Sequence, residues 1–128
     1  MKPETRNPKR VLIAEDEPSI VLSLEFLLKG AGYDVTVATD GNQAQHLAES
    51  LIPDLIVLDI MLPLLDGFEV CRRIRKNKKL GHAKILMLTA RGHESAVKKS
   101  LMLGADAYMT KPFSTRELVG TIAELLAP

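Results

Sequence analysis

The chain has 128 residues, which is enough for one domain and too few for two. Apolar residues make up 46% of it, so a core can form, and the 26% of charged residues exclude a disordered tail or a fibre. Basic and acidic residues number 17 and 16, and aromatic residues amount to only 4%. From this balance we expect no direct binding of nucleic acid and no binding of an anionic membrane by this domain.

The single cysteine, Cys71, excludes an intrachain disulfide and a cysteine-based zinc site. Residues 1–10 are polar and lack the apolar stretch of a signal peptide, and no segment has the ~18 apolar residues of a membrane span. We expect a soluble, cytoplasmic protein, with a flexible N-terminal arm over residues 1–8 and one domain over residues 9–128.

Short apolar runs alternate with helical patterns along the chain. The predicted strands cover residues 10–14, 33–38, 55–58, 85–88 and 107–109. The predicted helices cover residues 19–29, 42–50, 67–76, 94–103 and 115–126. The first, third and fourth strands are almost wholly apolar, which is typical of central strands, whereas the second alternates, which favours an edge. Five such units predict a doubly wound, three-layer α/β domain with a parallel sheet.

Polar side chains follow these strands at their carboxyl ends, where sheets of this kind bind ligands. They are acidic, hydroxyl and amino groups together with one proline: Glu15, Asp16, Glu17, Asp59, Thr89, Thr110, Lys111 and Pro112. Three carboxylates at one edge repel each other unless a cation lies between them, and oxygen ligands suit Mg²⁺ better than zinc. A carboxylate beside such a metal and a lysine is a candidate nucleophile.

Each of these residues also has an ordinary structural explanation. Asp16 and Glu17 suit the N-cap of the helix that follows them. Asp59 and Thr89 suit a loop and a strand end, and Lys111 suits a solvated surface. The functional interpretation therefore depends on all of them meeting at one edge of the sheet.

Several short motifs, taken together, resemble the receiver domain of bacterial two-component response regulators, in the form found in the chemotaxis regulators. They cover residues 13–17 (IAEDE), 58–63 (LDIMLP), 66–67 (DG), 88–90 (LTA), 104–106 (GAD) and 111–113 (KPF). The resemblance extends over about residues 9–126. It implies a flavodoxin-like (βα)5 fold whose five-stranded parallel sheet has the order 2-1-3-4-5.

The resemblance implies that Asp59 accepts a phosphoryl group from a histidine kinase or a phosphotransfer protein, with Thr89 and Lys111 binding the phosphoryl oxygens. A cis bond before Pro112 would turn Lys111 toward the site. Tyr108 and Thr89 would be the switch residues that alter the surface of the fourth helix, fifth strand and fifth helix.

The resemblance also implies a Mg²⁺ site. Asp16, Asp59 and the backbone carbonyl of Met61 would bind the ion directly, and Glu15 would bind it through a water. The side chains of Met61 and Arg91 would lie on the path of the water that hydrolyses the phosphoryl group. Neither can act as a base, so we expect slow self-dephosphorylation.

Two other functions share parts of this pattern. A metal-dependent hydrolase with an aspartyl-phosphate intermediate would have the same nucleophile, but the haloacid-dehalogenase pattern has a second aspartate where this chain has Met61. A flavodoxin would need glycines and hydroxyls after the first strand, where this chain has Glu15, Asp16 and Glu17. We therefore expect a signalling domain that is not an enzyme, with the hydrolase as the alternative.

The partners are less well defined by the sequence. Val97, Ala107 and Thr121 stand where related receivers that dimerise carry charged residues, so we expect a monomer or a weak, phosphorylation-dependent dimer with an output partner that is not identified. Basic residues crowd the end of the third helix: Arg72, Arg73, Arg75, Lys76, Lys78 and Lys79. A solvated helix end is the expected explanation, and docking of an acidic partner is the alternative.

Overall fold

A computed structural model of the chain describes residues 8–90 and 94–128, so most of the expected N-terminal arm lies outside it. The strands are β1 (Arg10–Ala14), β2 (Asp34–Ala38), β3 (Leu55–Asp59), β4 (Lys84–Ala90) and β5 (Ala107–Lys111). The helices are α1 (Pro18–Gly30), α2 (Gly41–Leu51), α3 (Gly67–Lys76), α4 (Glu94–Met102) and α5 (Thr115–Leu126), and a 3₁₀ turn spans Lys78–Leu80. Within these residues no helix has the length and hydropathy needed to cross a membrane.

The five strands form one parallel sheet in the order β2-β1-β3-β4-β5, which confirms the predicted fold. The all-apolar strands β1, β3 and β4 are central, and the alternating strand β2 lies at an edge, as their patterns predict. Alternate side chains of each strand enter two cores. Ile56 and Met87 pack on the side of α2 and α3, whereas Val57 and Leu86 pack on the side of α1 and α5.

The fourth and fifth strands are longer than predicted. Thr89 pairs with Thr110, and Ala90 pairs with Lys111, so both strands continue through the polar residues that we expected to follow them. The reason is that a parallel neighbour supplies backbone hydrogen bonds whatever the polarity of the side chains. This register places Asp59, Thr89 and Lys111 at one edge of the sheet.

Two helices begin at side-chain caps that the sequence predicts. The backbone N–H of Glu69 donates to Asp66 at 3.0 Å, and that of Glu117 donates to Ser114 at 3.0 Å. Glu17 is the N-cap residue of α1, but its side chain makes no capping hydrogen bond. The N-cap explanation therefore does not account for the side chain of Glu17.

One arginine of the basic run is not solvated as predicted. Arg75 donates from Nε to the carbonyl of Gly104 at 2.8 Å, from one terminal nitrogen to the carbonyl of Ala83 at 2.8 Å, and from the other to Asp106 at 2.6 Å. The same carboxylate oxygen of Asp106 accepts from the N–H of Ile85 at 2.8 Å. Arg75 thus joins the end of α3 to the beginnings of β4 and β5, a contact that no local pattern predicts.

Candidate functional site

The strand ends bring three of the predicted carboxylates together. Glu15, Asp16 and Asp59 each offer an oxygen, and these oxygens all lie within 4.8 Å of one another. Glu15 follows β1 and is fully buried, Asp59 ends β3 with 4% of its surface exposed, and Asp16 is exposed to solvent. The cluster therefore has a buried floor and one carboxylate open to solvent.

Lys111 enters this cluster from the end of β5. Its Nζ lies 2.6 Å from Oε1 of Glu15 and 3.2 Å from Oδ2 of Asp59. The backbone N–H groups of Asp16 and Glu17 each donate to Oε2 of Glu15 at 3.0 Å. The explanation of Lys111 as an ordinary solvated lysine is therefore wrong.

The electrostatics of this pair are set by burial and by mutual contact. Burial raises the pKa of Glu15, and the charge of Asp59 adds to that effect against the opposing contact with Lys111. Burial alone would lower the pKa of Lys111, but the contact with Glu15 and the charge of Asp59 outweigh it and raise that pKa. Lys111 therefore stays positively charged at neutral pH beside the Asp59 carboxylate.

The donor set fits a hard divalent cation. Oε1 of Glu15 is buried, and the Lys111 ammonium lies 2.6 Å from it. All three candidate ligands offer oxygen, which is the donor that Mg²⁺ and Ca²⁺ prefer. A cation here would relieve the repulsion among the three carboxylates. It would lie on the solvent side of the cluster, where Asp16 is exposed.

The loop after β3 holds the Asp59 carboxylate in place. The N–H of Met61 donates to Oδ1 of Asp59 at 3.1 Å, and that of Ile60 donates to the carbonyl of Leu88 at 3.2 Å. Gly67 is required at the return of this loop, because a Cβ there would lie 2.4 Å from the carbonyl oxygen of Asp59. Met61 is thus adjacent to the carboxylate, while the metal-binding role of its own carbonyl stays a prediction.

The same loop contains a strained turn at Leu64 that was not predicted from the sequence. The N–H of Leu65 donates to the carbonyl of Pro63 at 2.8 Å across Leu64, which has a φ of 70° and an exposed side chain. Gly41 at the start of α2 packs so closely that a Cβ there would lie 1.7 Å from the carbonyl oxygen of Leu65. No sequence pattern predicts this contact, because it joins two loops that are distant in the chain.

The remaining predicted residues lie around this centre. Thr89 is buried near the carboxyl end of β4, where that strand pairs with β5. Tyr108 on β5 is half exposed, at 46%. The bond between Lys111 and Pro112 is cis, which is the isomer that the resemblance implies. Arg91 lies outside the described residues.

Comparison with known proteins identifies the relatives of this chain. The family model described as the response regulator receiver domain matches residues 11–123. The alkaline phosphatase synthesis transcriptional regulatory protein PhoP of Bacillus subtilis (strain 168) is 50% identical over 118 residues, which are 92% of this chain and 48% of that protein. The chain therefore spans about half the length of this relative.

Two solved structures show the same architecture. One is a candidate response regulator of Chloroflexus aurantiacus J-10-fl, with a TM-score of 0.90 and 37% identity over 94% of this chain and 99% of that one. The other is the receiver domain of the sensor histidine kinase PA1611 of Pseudomonas aeruginosa PAO1, with a TM-score of 0.85 and 33% identity over 92% and 97%. None of these matches supports the hydrolase alternative.

Proposed function

The chain belongs to the response regulator receiver domain family, whose members are phosphorylation-dependent signalling switches, and we propose that Asp59 is the residue that accepts the phosphoryl group. The supporting observation is the position of its carboxylate, which is 4% exposed and lies 3.2 Å from the Lys111 ammonium within a cluster of carboxylates. Glu15 likewise has the Lys111 ammonium at one oxygen and backbone N–H groups at the other, but it is fully buried, whereas Asp59 keeps some exposure to an incoming donor.

The proposed donor is a phosphohistidine of a histidine kinase or a phosphotransfer protein. An oxygen of Asp59 attacks phosphorus in line, the phosphorus–nitrogen bond breaks, and the imidazole nitrogen keeps the electron pair and takes a proton. The product is an acyl phosphate on Asp59. Lys111 supplies positive charge to its oxygens, and the hydroxyl of Thr89 donates to one of them.

The proposed metal is Mg²⁺. Asp16, Asp59 and the carbonyl of Met61 would hold it directly, and Glu15 would hold it through a water. The related PA1611 receiver domain has a magnesium ion coordinated in its active site cleft, which supports the choice of metal. When bound, the ion neutralises charge on the phosphoryl oxygens.

The proposed output is a change in the α4–β5–α5 surface. When Thr89 turns toward a phosphoryl oxygen it vacates space, and Tyr108, which is half exposed, rotates inward to fill it. Leu101 and Met102 are also exposed on this surface, so its shape and polarity change together. We propose that the domain is a monomer or a weak dimer formed on phosphorylation, and its output partner is not identified.

The domain is proposed to work in the cytoplasm and to turn over nothing but its own phosphoryl group. Cys71 is a free, buried cysteine, and burial raises the pKa of its thiol, so this thiol is unreactive. Intact-protein mass after incubation with a small acyl phosphodonor and Mg²⁺ tests the proposed function. We expect one phosphoryl group per chain, phosphate release no faster than the decay of that group, and no turnover of a phosphate monoester, which a hydrolase would show.

The exposed apolar pair on α1 is proposed to receive the phosphodonor protein. Leu22 and Phe26 are 67% and 80% exposed, one helical turn apart. A groove of about 500 Å³ lies between α1 and the start of α5, and Lys111 is among the residues that line it. A donor helix on this surface would place its phosphohistidine next to the phosphoacceptor.

Phe26→Asp is expected to slow phosphoryl transfer from a protein donor by at least about tenfold, because it places a charge in an apolar contact. Labelling by a small acyl phosphodonor should stay within about twofold of wild type, since that donor needs no docking surface. The measurement is the transfer rate from whichever autophosphorylated histidine kinase labels the wild type. Met102→Asp, also at an 80% exposed position, is the control and should affect neither rate.

Met61→Asn is expected to shorten the lifetime of the phosphorylated protein by roughly tenfold, because an amide can orient the attacking water and a thioether cannot. Met61 is 68% exposed and follows the phosphoacceptor by two residues, so the substitution disturbs no core contact. The measurement is the decay of phosphorylated protein after donor removal. A wild type that decays as fast as the variant would show that residue 61 does not control the lifetime.

A further inference from the structure

One end of the molecule carries a concentrated positive charge. The basic surface comprises exposed side chains at the end of α3, in the 3₁₀ turn and at the start of β4: Arg73, Lys76, Lys78, Lys79, His82 and Lys84. Residues 70–90 contain seven arginines and lysines and no acidic residue, so the rest of the chain has ten basic and sixteen acidic residues. The net charge of +1 is therefore the sum of +7 on residues 70–90 and −6 on the rest of the chain.

Most of this positive charge has no partner in the molecule. In the described ranges, Lys76, Lys78, Lys79 and Lys84 form no ion pair with any carboxylate. The neighbouring Arg73 does pair, with Glu69 of its own helix. Four lysines thus project into solvent without neutralisation.

The turn that carries these lysines is held firmly. Leu80 is fully buried beneath it, and the side chain of Asn77 accepts from the N–H of Lys79 at 3.0 Å. Arg75 donates to the carbonyl of Ala83 at 2.8 Å on the far side of the turn. A partner that binds here would therefore order lysine side chains but little backbone.

The composition of the basic surface limits what can bind it. Residues 73–84 expose no aliphatic side chain and contain no Phe, Tyr or Trp, because Ile74, Leu80 and Ala83 are all buried. An anionic membrane is usually bound with an apolar group that inserts, and a protein interface with an aromatic or aliphatic anchor. A surface of basic side chains without an apolar anchor fits a partner whose charge is regularly spaced and fully exposed, such as the phosphates of duplex DNA.

We propose that the basic surface binds the phosphate backbone of double-stranded DNA without sequence preference. It lies at the start of β4, opposite the end of that strand where Thr89 and the acidic cluster are found. The uneven charge distribution orients the molecule with the basic surface toward DNA and the phosphoacceptor away from it. We expect no nucleic-acid binding from the net charge of the whole chain, because that value does not show that the positive charge is concentrated on one surface. The proposal does not depend on the role of Asp59.

The test is fluorescence anisotropy of a labelled 20-base-pair DNA duplex, titrated with the full chain at several salt concentrations between about 25 and 200 mM. Wild type should bind with an affinity that falls steeply with salt. Lys76→Glu/Lys79→Glu should weaken binding by roughly 10- to 100-fold at low salt. It should also reduce the slope of log affinity against log salt by about 2, since each phosphate contact contributes about 0.9.

The control is Lys98→Glu/Arg116→Glu, which makes the same change of net charge at exposed positions on α4 and α5. It should weaken DNA binding by less than about threefold, and a scrambled duplex should bind as well as the first. The proposal is overturned if the control loses as much affinity as the basic-surface variant. It is equally overturned if wild type binds no duplex at low salt, or binds vesicles of anionic lipid more tightly than DNA.

Discussion

Asp59→Asn is expected to abolish phosphoryl labelling of the protein by a small acyl phosphodonor in the presence of Mg²⁺. The amide has nearly the size of the carboxylate and can still accept the hydrogen bond from the Met61 N–H, so the loop should keep its shape. It lacks a nucleophilic oxygen of sufficient basicity and offers Mg²⁺ one charge fewer. Intact-protein mass spectrometry after donor addition measures the outcome as the phosphorylated fraction.

The matched control for this experiment is Asp34→Asn. Asp34 is an exposed aspartate at the start of the edge strand β2, away from the carboxyl ends of the strands. Its labelling should equal that of wild type. Labelling of Asp59→Asn at the wild-type rate and at its own position would refute the assignment of the phosphoacceptor. Removal of Mg²⁺ by a chelator should reduce wild-type labelling as strongly as the substitution does.

Arg75→Met is expected to lower the free energy of unfolding by about 3 kcal/mol, because it removes the guanidinium that donates to the Gly104 and Ala83 carbonyls and leaves Asp106 with the Ile85 N–H but no cation. For a domain of this size that corresponds to a fall in Tm of roughly 10 °C. Methionine preserves most of the apolar stem, so the loss reports the guanidinium and not the packing. Urea denaturation followed by circular dichroism measures it.

Two further variants separate the geometry of Arg75 from its charge. Arg73→Met removes an arginine whose one ion pair within the described residues is the exposed pair with Glu69, and it should cost less than about 1 kcal/mol. Arg75→Lys keeps the charge but cannot reach three acceptors at once, so its free energy of unfolding should fall almost as far as that of Arg75→Met. Arg75→Lys with wild-type stability would show that the three-way contact does not hold α3 to β5.

The fold follows from local patterns in the sequence. Apolar runs in β1, β3 and β4 predicted central strands, and the alternation in β2 predicted an edge, because side-chain polarity reports how many faces of a strand are covered. The polar residues at the strand ends predicted the acidic cluster for a similar reason. In a parallel sheet the carboxyl ends of all strands lie at one edge, so residues that follow different strands in the sequence lie close together in space.

Contacts between distant side chains were decided only by the tertiary structure. The sequence placed Glu15 and Lys111 at the same edge, but their 2.6 Å contact depends on the register between strands and on the direction of each side chain. Arg75 was predicted to be solvated because its own helix end is polar, whereas the acceptors it binds come from residues 83, 104 and 106. Periodicity describes the environment of a residue along its own element, and it contains nothing about which partner another part of the chain brings to it.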